Sequence, residues 1–222
     1  MHIITDLKES FEIYFKNFIR LTIPYFLLVG GYITSVRFIL SSNTLLLGTF
    51  LFCFGILTVV AVSLTVVDVW GAASGYNFGP GDNALYVLKN LLRLFSSVIL
   101  ITPPGFLILY LFLNFFSFYL FIPLAFYPFF FIYLLPIVLL TEKGILEGVR
   151  RSFDMAWKNF KRTATITFIP AIIVGYISSF LLYEIVFLFL LPIWVVLITR
   201  NFCSISECES STDYFTSMNQ KD

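Results

Sequence analysis

The chain has 222 residues, 59% of them hydrophobic and 12% charged, with a formal net charge of +1. Soluble chains run at roughly 45–50% apolar and about 25% charged residues, so the composition excludes an ordinary water-soluble domain and makes lipid the natural solvent. A single histidine, His2, and the lack of a Gly-Lys-Ser/Thr phosphate loop exclude a histidine metal centre, a Ser-His-Asp triad and a Walker-type nucleotide site.

The first expected element is a one-sided helix. Apolar residues at 3, 7, 11, 14, 15 and 18 follow helical spacing, while Lys8, Glu9, Glu12, Lys16 and Arg20 occupy the other face. Charge on one side and bulky aromatics on the other suit the plane of a membrane interface. The segment is therefore expected to lie flat, as an elbow, before the first crossing. Two apolar blocks follow, residues 21–40 and 45–67, each close to the ~20 residues an α-helix needs to cross a hydrocarbon core of about 30 Å. No small-residue cleavage site precedes the first block, so it is expected to remain as a crossing.

A glycine-rich turn, Gly71-Ala72-Ala73-Ser74-Gly75 and then Gly79-Pro80-Gly81, leads into a shorter elbow over residues 82–93. Blocks 94–113 and 118–140 follow. Pro103-Pro104-Gly105 falls near the middle of the first of these and is a candidate helix break. Proline removes backbone hydrogen bonds, and broken helices at the midplane line binding sites in many transporters. The plainer reading is a kink repaired by neighbouring helices. The aromatic-rich run from Phe115 to Tyr133 is either a route for an apolar ligand or, more ordinarily, packing and lipid-facing surface.

The third elbow spans residues 145–162 and precedes blocks 163–182 and 183–199. Residues 203–222 read as a polar, disordered tail. It carries Cys203 and Cys208, and Cys203 lies near enough to the membrane end to be an acylation site.

The elbows share a pattern, Lys-Asn-apolar-x-Arg, at Lys16-Asn17-Phe18-Ile19-Arg20, Lys89-Asn90-Leu91-Leu92-Arg93 and Lys158-Asn159-Phe160-Lys161-Arg162. The lysines are 73 and 69 residues apart (89−16 and 158−89). The first and third copies match further at an offset of 142, with Ser10-Phe11-Glu12 against Ser152-Phe153-Asp154 and Phe15 against Trp157. The expected fold is thus an all-α membrane protein of six transmembrane helices in three parallel repeats. The repeats cover approximately residues 3–70, 80–142 and 143–202, each an interfacial amphipathic elbow helix plus a transmembrane hairpin.

Six crossings put both termini on one side with 13 of the 14 basic residues, leaving Arg37 near the opposite face. Cytoplasmic loops are enriched in Lys and Arg, so this side is expected to be cytoplasmic and the protein to be integral to the plasma membrane. Lys16, Arg20, Lys89, Arg93, Lys158 and Arg162 are the candidate contacts for lipid or a protein partner. Asp68 and Glu142 end the second crossings of the first two units and Arg200 takes that place in the third, so these three are expected to join the basic groups in a ring of ion pairs. Arg37 and Glu184 are expected to reach the outer interface.

Residues 134–144, Leu-Leu-Pro-Ile-Val-Leu-Leu-Thr-Glu-Lys-Gly, followed by Gly148-Val149-Arg150-Arg151-Ser152-Phe153 and Lys158-Asn159-Phe160, resemble a broad group of prokaryotic integral membrane proteins. The group includes the membrane domain attached to some glycerophosphoryl diester phosphodiesterases and several uncharacterised-domain families. The resemblance is specific over residues 130–165 and implies a six-helix membrane domain. It carries over no catalytic residue, because the phosphodiesterase domain has no counterpart in this chain.

These readings lead to a non-enzymatic membrane protein, a scaffold or accessory subunit or a lipid-interacting protein acting through its basic elbows. The alternative is a carrier or channel for a lipid-like or small apolar molecule, gated at the proline-rich middle unit. A membrane enzyme comes third, with Asp68, Glu142 and Glu184 its only carboxylates near crossings. No cofactor, metal or nucleic-acid partner is expected. The expected partners are membrane lipids and a further membrane or cytoplasmic protein.

Overall fold

The structure is a computed structural model and describes residues 2–39, 44–75, 79–115, 126–141, 144–178 and 186–206. All regular structure among the described residues is helical. The helices are α1 (His2–Lys16), α2 (Phe18–Ile39), α3 (Thr44–Ser74), α4 (Pro80–Lys89), α5 (Leu91–Phe115), α6 (Leu134–Leu140), α7 (Ile145–Lys158), α8 (Phe160–Ser178) and α9 (Leu191–Ser206). A π-helical turn, Val186–Leu190, leads into α9.

Two helices are long and apolar enough to cross a membrane, Gly55–Ser74 and Leu188–Ile205. A third qualifies if Gly81–Lys89 and Leu91–Leu100, which meet at 54°, are taken as one bent span. Phe18–Gly31 and Phe126–Leu140 are shorter apolar helices. The expected blocks 118–140 and 183–199 lie partly outside the described residues, as do Glu142, Glu184 and Cys208.

The molecule is organised around α3, which packs against α2 on one side and α9 on another. At 31 residues, α3 is longer than the apolar block that announced it. It is about 46 Å long at 1.5 Å per residue, so it projects beyond a hydrocarbon core of about 30 Å. The expected end at residue 67 is corrected: the helix runs on through Asp68, whose charge is paired, and through Gly71. It stops at Gly75, which has φ +77°. That left-handed conformation is cheap for glycine and closes helices.

Trp70, Phe129, Tyr133, Ile137 and Phe202 are fully buried in the main core, which joins α3, the segment before α6, α6 itself and α9. Hydrogen bonds tie it across the units. The Tyr133 hydroxyl donates to Asn201 Oδ1 at 2.6 Å and lies 3.1 Å from Thr163 Oγ1. Tyr25 and Thr65 meet through their hydroxyls at 3.1 Å, joining α2 to α3. In a bilayer the apolar driving force between helices is weak, and such bonds together with close packing hold a bundle together.

α5 is helical from Leu91 to Phe115, through Pro103, Pro104 and Gly105, in keeping with the plainer of the two readings of that segment. Two prolines remove two adjacent backbone bonds, a defect that a 25-residue helix carries without ending. Both proline rings are exposed on the surface of the bundle. The tail also begins later than residue 203, because α9 continues to Ser206 with Phe202 and Cys203 buried. Burial of the Cys203 side chain removes it as an acylation site. Residues 207–222 lie outside the described residues.

Candidate functional site

The three Lys-Asn-apolar-x-Arg segments form the same local structure. In each, one helix ends at the lysine, the next begins just after the asparagine, and the asparagine itself sits at the joint. Its backbone N–H reaches the carbonyl four residues back: Asn17 to Ile13 at 3.1 Å, Asn90 to Tyr86 at 3.3 Å, Asn159 to Met155 at 3.1 Å. Its side-chain Nδ2 donates to that same carbonyl, at 3.0, 3.0 and 3.1 Å. Its own carbonyl then accepts from the next helix, from Leu21, Leu94 and Thr163. A helix end leaves carbonyls without partners, and the amide supplies an extra donor there. The sequence repeat is therefore a repeat of hydrogen bonding at three corners.

The elbow helices expose large apolar side chains beside their charged ones, and polar side chains are among those they bury. In α1, Asp6, Ser10 and Tyr14 are buried, while Ile4 is 79% exposed, Phe15 is 67% exposed, and Leu7 and Phe11, together with Phe18 at the start of α2, are exposed as well. In α7, Gly148, Ser152, Met155 and Ala156 are buried, while Leu146, Phe153 and Trp157 are exposed, Trp157 at 62%. The exposed residues correspond at the 142-residue offset: Ile4 with Leu146, Phe11 with Phe153, Phe15 with Trp157, Phe18 with Phe160. In α4 and the start of α5, Leu85, Leu88 and Leu92 are exposed.

The buried faces have specific partners. Ser152 Oγ donates to the Phe130 carbonyl at 2.7 Å, across the turn between the second and third units. Gly148 lets α7 lie against α6: a Cβ there would stand 3.4 Å from both Leu134 Cδ1 and Val138 Cγ2. The Tyr86 hydroxyl donates to the Leu139 carbonyl at 2.5 Å, tying α4 to α6.

The structure divides the six basic candidates by residue type. Lys16, Lys89 and Lys158 are exposed, each directly after an exposed apolar residue: Phe15, Leu88 and Trp157. Arg20, Arg93 and Arg162 are half-buried. Arg20 Nη2 pairs with Asp68 Oδ1 at 2.5 Å, and Asn83 Nδ2 donates to the same oxygen, so one carboxylate joins α2, α3 and α4. Arg162 pairs with Asp6 and donates to Ser204 Oγ at 2.9 Å, joining α8 to α1 and α9. Arg200 holds Glu9 through Nε at 2.8 Å and also through Nη2. Arg93 differs, with its Nη2 buried and without a hydrogen-bond partner among the described residues.

Of the three residues expected to join the basic groups in a ring of ion pairs, Glu142 lies outside the described residues and Asp68 pairs with Arg20. Arg200, standing where the other units have an acid, is matched by Glu9, and Arg162 is matched by Asp6. The first elbow supplies both acids: Asp6 is buried, Glu9 is half-buried against Arg200, and Glu12 stays exposed. Asp6, Asn83 and Asn201 are the residues that sequence reasoning missed. Asp6 left no signal in its own neighbourhood, because its partner Arg162 lies 156 residues away. Arg20 and Arg162 therefore tie helices together through these pairs.

Among the described residues no three His, Cys, Asp or Glu side chains lie together in a group that could hold a metal ion. Asp6, Glu9 and Asp68 are each engaged by an arginine, an arrangement suited to fixing helices in place. Comparisons of the chain with protein-family models, with curated proteins and with solved structures give no match. The resemblance over residues 130–165 accordingly rests on those residues alone.

Proposed function

We propose that the chain is a non-enzymatic, six-span membrane protein of three parallel units, residues 3–70, 80–142 and 143–202, whose elbow helices lie in the cytoplasmic interface and organise membrane lipid around the bundle or dock a further membrane or cytoplasmic protein. The observation that carries this reading is the apolar stripe of the elbows: aromatic and aliphatic side chains exposed in register on α1 and α7, while Asp6 and Ser10 are buried. Exposed apolar stripes of this size on a monomer mark contact with membrane or protein. With helices of 22, 31, 25 and 19 residues attached to them, membrane is the natural occupant.

Three like corners support three like units, and an even number of crossings per unit makes them parallel. The lysines close each elbow at the end that a helix dipole favours for cations, and they stand beside apolar anchors as interfacial lysines do. The carrier alternative drew on a break at Pro103-Pro104-Gly105. A helix continuous through that point gives the alternative no separate support.

Topology is tested by labelling single cysteines, in a Cys53→Ser, Cys203→Ser and Cys208→Ser background, with a membrane-impermeant maleimide on intact cells. Cysteines at Ser42, Ser117 and Tyr183 are expected to label from outside. Those at Lys8, Asn77 and Lys143 are expected to label only after permeabilisation. Labelling of position 77 from outside would refute the six-span arrangement.

A further inference from the structure

Of the three corners, the middle one is electrostatically unlike the others. Lys16 has Glu12 four residues before it and Lys158 has Asp154, exposed acids on the same helical face that soften the lysine charge. Lys89 has Leu85 at that position. The nearest acid of its own helix, Asp82, lies seven residues back, where its Oδ2 accepts from the Gly79 N–H at 3.1 Å. One turn beyond Lys89, across the 54° bend, stands Arg93. Arg20 and Arg162 each have a carboxylate, whereas Arg93 has none among the described residues and its Nη2 is buried without a partner.

Among the described residues, two cations therefore flank the Asn90 joint with no anion opposite them. A half-buried guanidinium with an unused donor is costly in a region of lowered dielectric. Its fork matches phosphate oxygens, and a neighbouring lysine adds a point charge to the same anion. The surroundings select the kind of phosphate. Leu85, Leu88 and Leu92 are exposed at 57%, 58% and 84%, forming an apolar collar beside the cations. A soluble phosphate would leave that collar in water; a phospholipid covers it.

We infer that the α4–α5 corner binds the phosphate of an anionic glycerophospholipid through Lys89 and Arg93, with the acyl chains against Leu85, Leu88 and Leu92. This rests on the interfacial position of the elbows given under Proposed function. The other two corners, each carrying its own acid, hold lipid less selectively.

The test is native mass spectrometry of the full-length protein in detergent, offered phosphatidylglycerol and phosphatidylcholine together. Wild type is expected to retain phosphatidylglycerol in preference. Lys89→Gln and Arg93→Gln are each expected to weaken that retention roughly tenfold, the size of one lost charge-assisted hydrogen bond. Arg93→Lys is expected to restore most of it, and Lys16→Gln to leave it near wild type. Lys89 is exposed, so its variant reads the site even if Arg93→Gln fails to fold.

Equal retention of the two lipids by wild type, or unchanged retention in Lys89→Gln, overturns the inference. Displacement of the lipid by inorganic phosphate at matched concentration overturns the lipid assignment. Quenching of Trp157 by acyl-brominated lipid separates the two levels of the argument. Quenching with unchanged retention sinks the corner site alone, whereas no quenching sinks the interfacial reading on which it depends.

Discussion

Replacing Asp6 by Asn isolates the pair that fastens the first helix to the third unit. The substitution keeps the shape of the side chain and removes its charge, leaving Arg162 facing a neutral amide. Asp6 is 5% exposed and the Arg162 side chain 18% exposed, so the pair sits well away from bulk water. Removing one partner of a buried pair costs about 3–5 kcal/mol, mostly from stranding the other charge. Arg162 keeps Ser204 Oγ at 2.9 Å and some access to solvent, which puts the expected loss at the lower end, about 3 kcal/mol or two orders of magnitude in the folding equilibrium.

Glu9→Gln is the internal control. Its side chain is 39% exposed and that of Arg200 25% exposed, and open pairs of this kind contribute about 0–1 kcal/mol. Reversible unfolding in mixed detergent and dodecyl sulfate micelles, followed by fluorescence of the three tryptophans, measures both. Pairing Asp6→Asn with Arg162→Gln removes the stranded charge and is expected to return at least half of the loss. Equal effects of Asp6→Asn and Glu9→Gln, or a double variant as destabilised as the sum of the singles, would show that the clasp does not work as described.

Three further substitutions probe the corners and the packing. Asn90→Ala removes the Nδ2 bond to the Tyr86 carbonyl and is expected to cost about 1 kcal/mol, with Asn17→Ala and Asn159→Ala alike; a spread of several kcal/mol among the three would break the equivalence. Gly148→Ala is expected to be near neutral, since helix propensity favours alanine by about 1 kcal/mol while the new methyl meets Leu134 and Val138. Gly148→Leu forces α7 off α6 and is expected to cost about 1–3 kcal/mol in the same unfolding assay. Pro103→Ala restores a backbone donor within a continuous helix and is expected to stabilise the protein by about 1 kcal/mol or more; a loss of stability would mean that the prolines set a bend on which the packing depends.

What the sequence made legible was whatever depends on neighbours in the chain. The corners were readable because the lysine, the asparagine bonding four residues back, and the arginine one turn ahead all act within about ten residues. Exposure of the aromatic stripe was readable for the same reason, since its spacing is that of one helix. Reading failed where the deciding partner was distant. Asp68 looked like a helix end because a charge normally marks one, yet Arg20 from α2 and Asn83 from α4 satisfy it and α3 runs on to Gly75. At Pro103-Pro104-Gly105 local propensity left a break and a kink both open, and the long apolar helix carries the prolines. Asp6 offered no local clue, because its partner is 156 residues away.

The motif also explains why it needs both kinds of cation. A lysine carries a compact charge on a flexible stem and suits the last turn of an elbow, where its target is mobile and its stem lies along apolar surface. An arginine carries a planar fork that holds one geometry, and in the first turn of the following helix it reaches a fixed carboxylate. In the first and third units the two functions are separate: Lys16 and Lys158 face outward while Arg20 and Arg162 lock α3 and α1 in place. The middle unit has the same two cations and no carboxylate among the described residues to occupy the second. An arginine without a carboxylate, beside an exposed lysine, is the pairing inferred above to hold a lipid phosphate with no change in the motif. Among the described residues a carboxylate faces the arginine in the first and third segments and not in the middle one, so substitutions at Asp6 and Asp68 should reveal more about how the three corners differ than substitutions within the repeated segments.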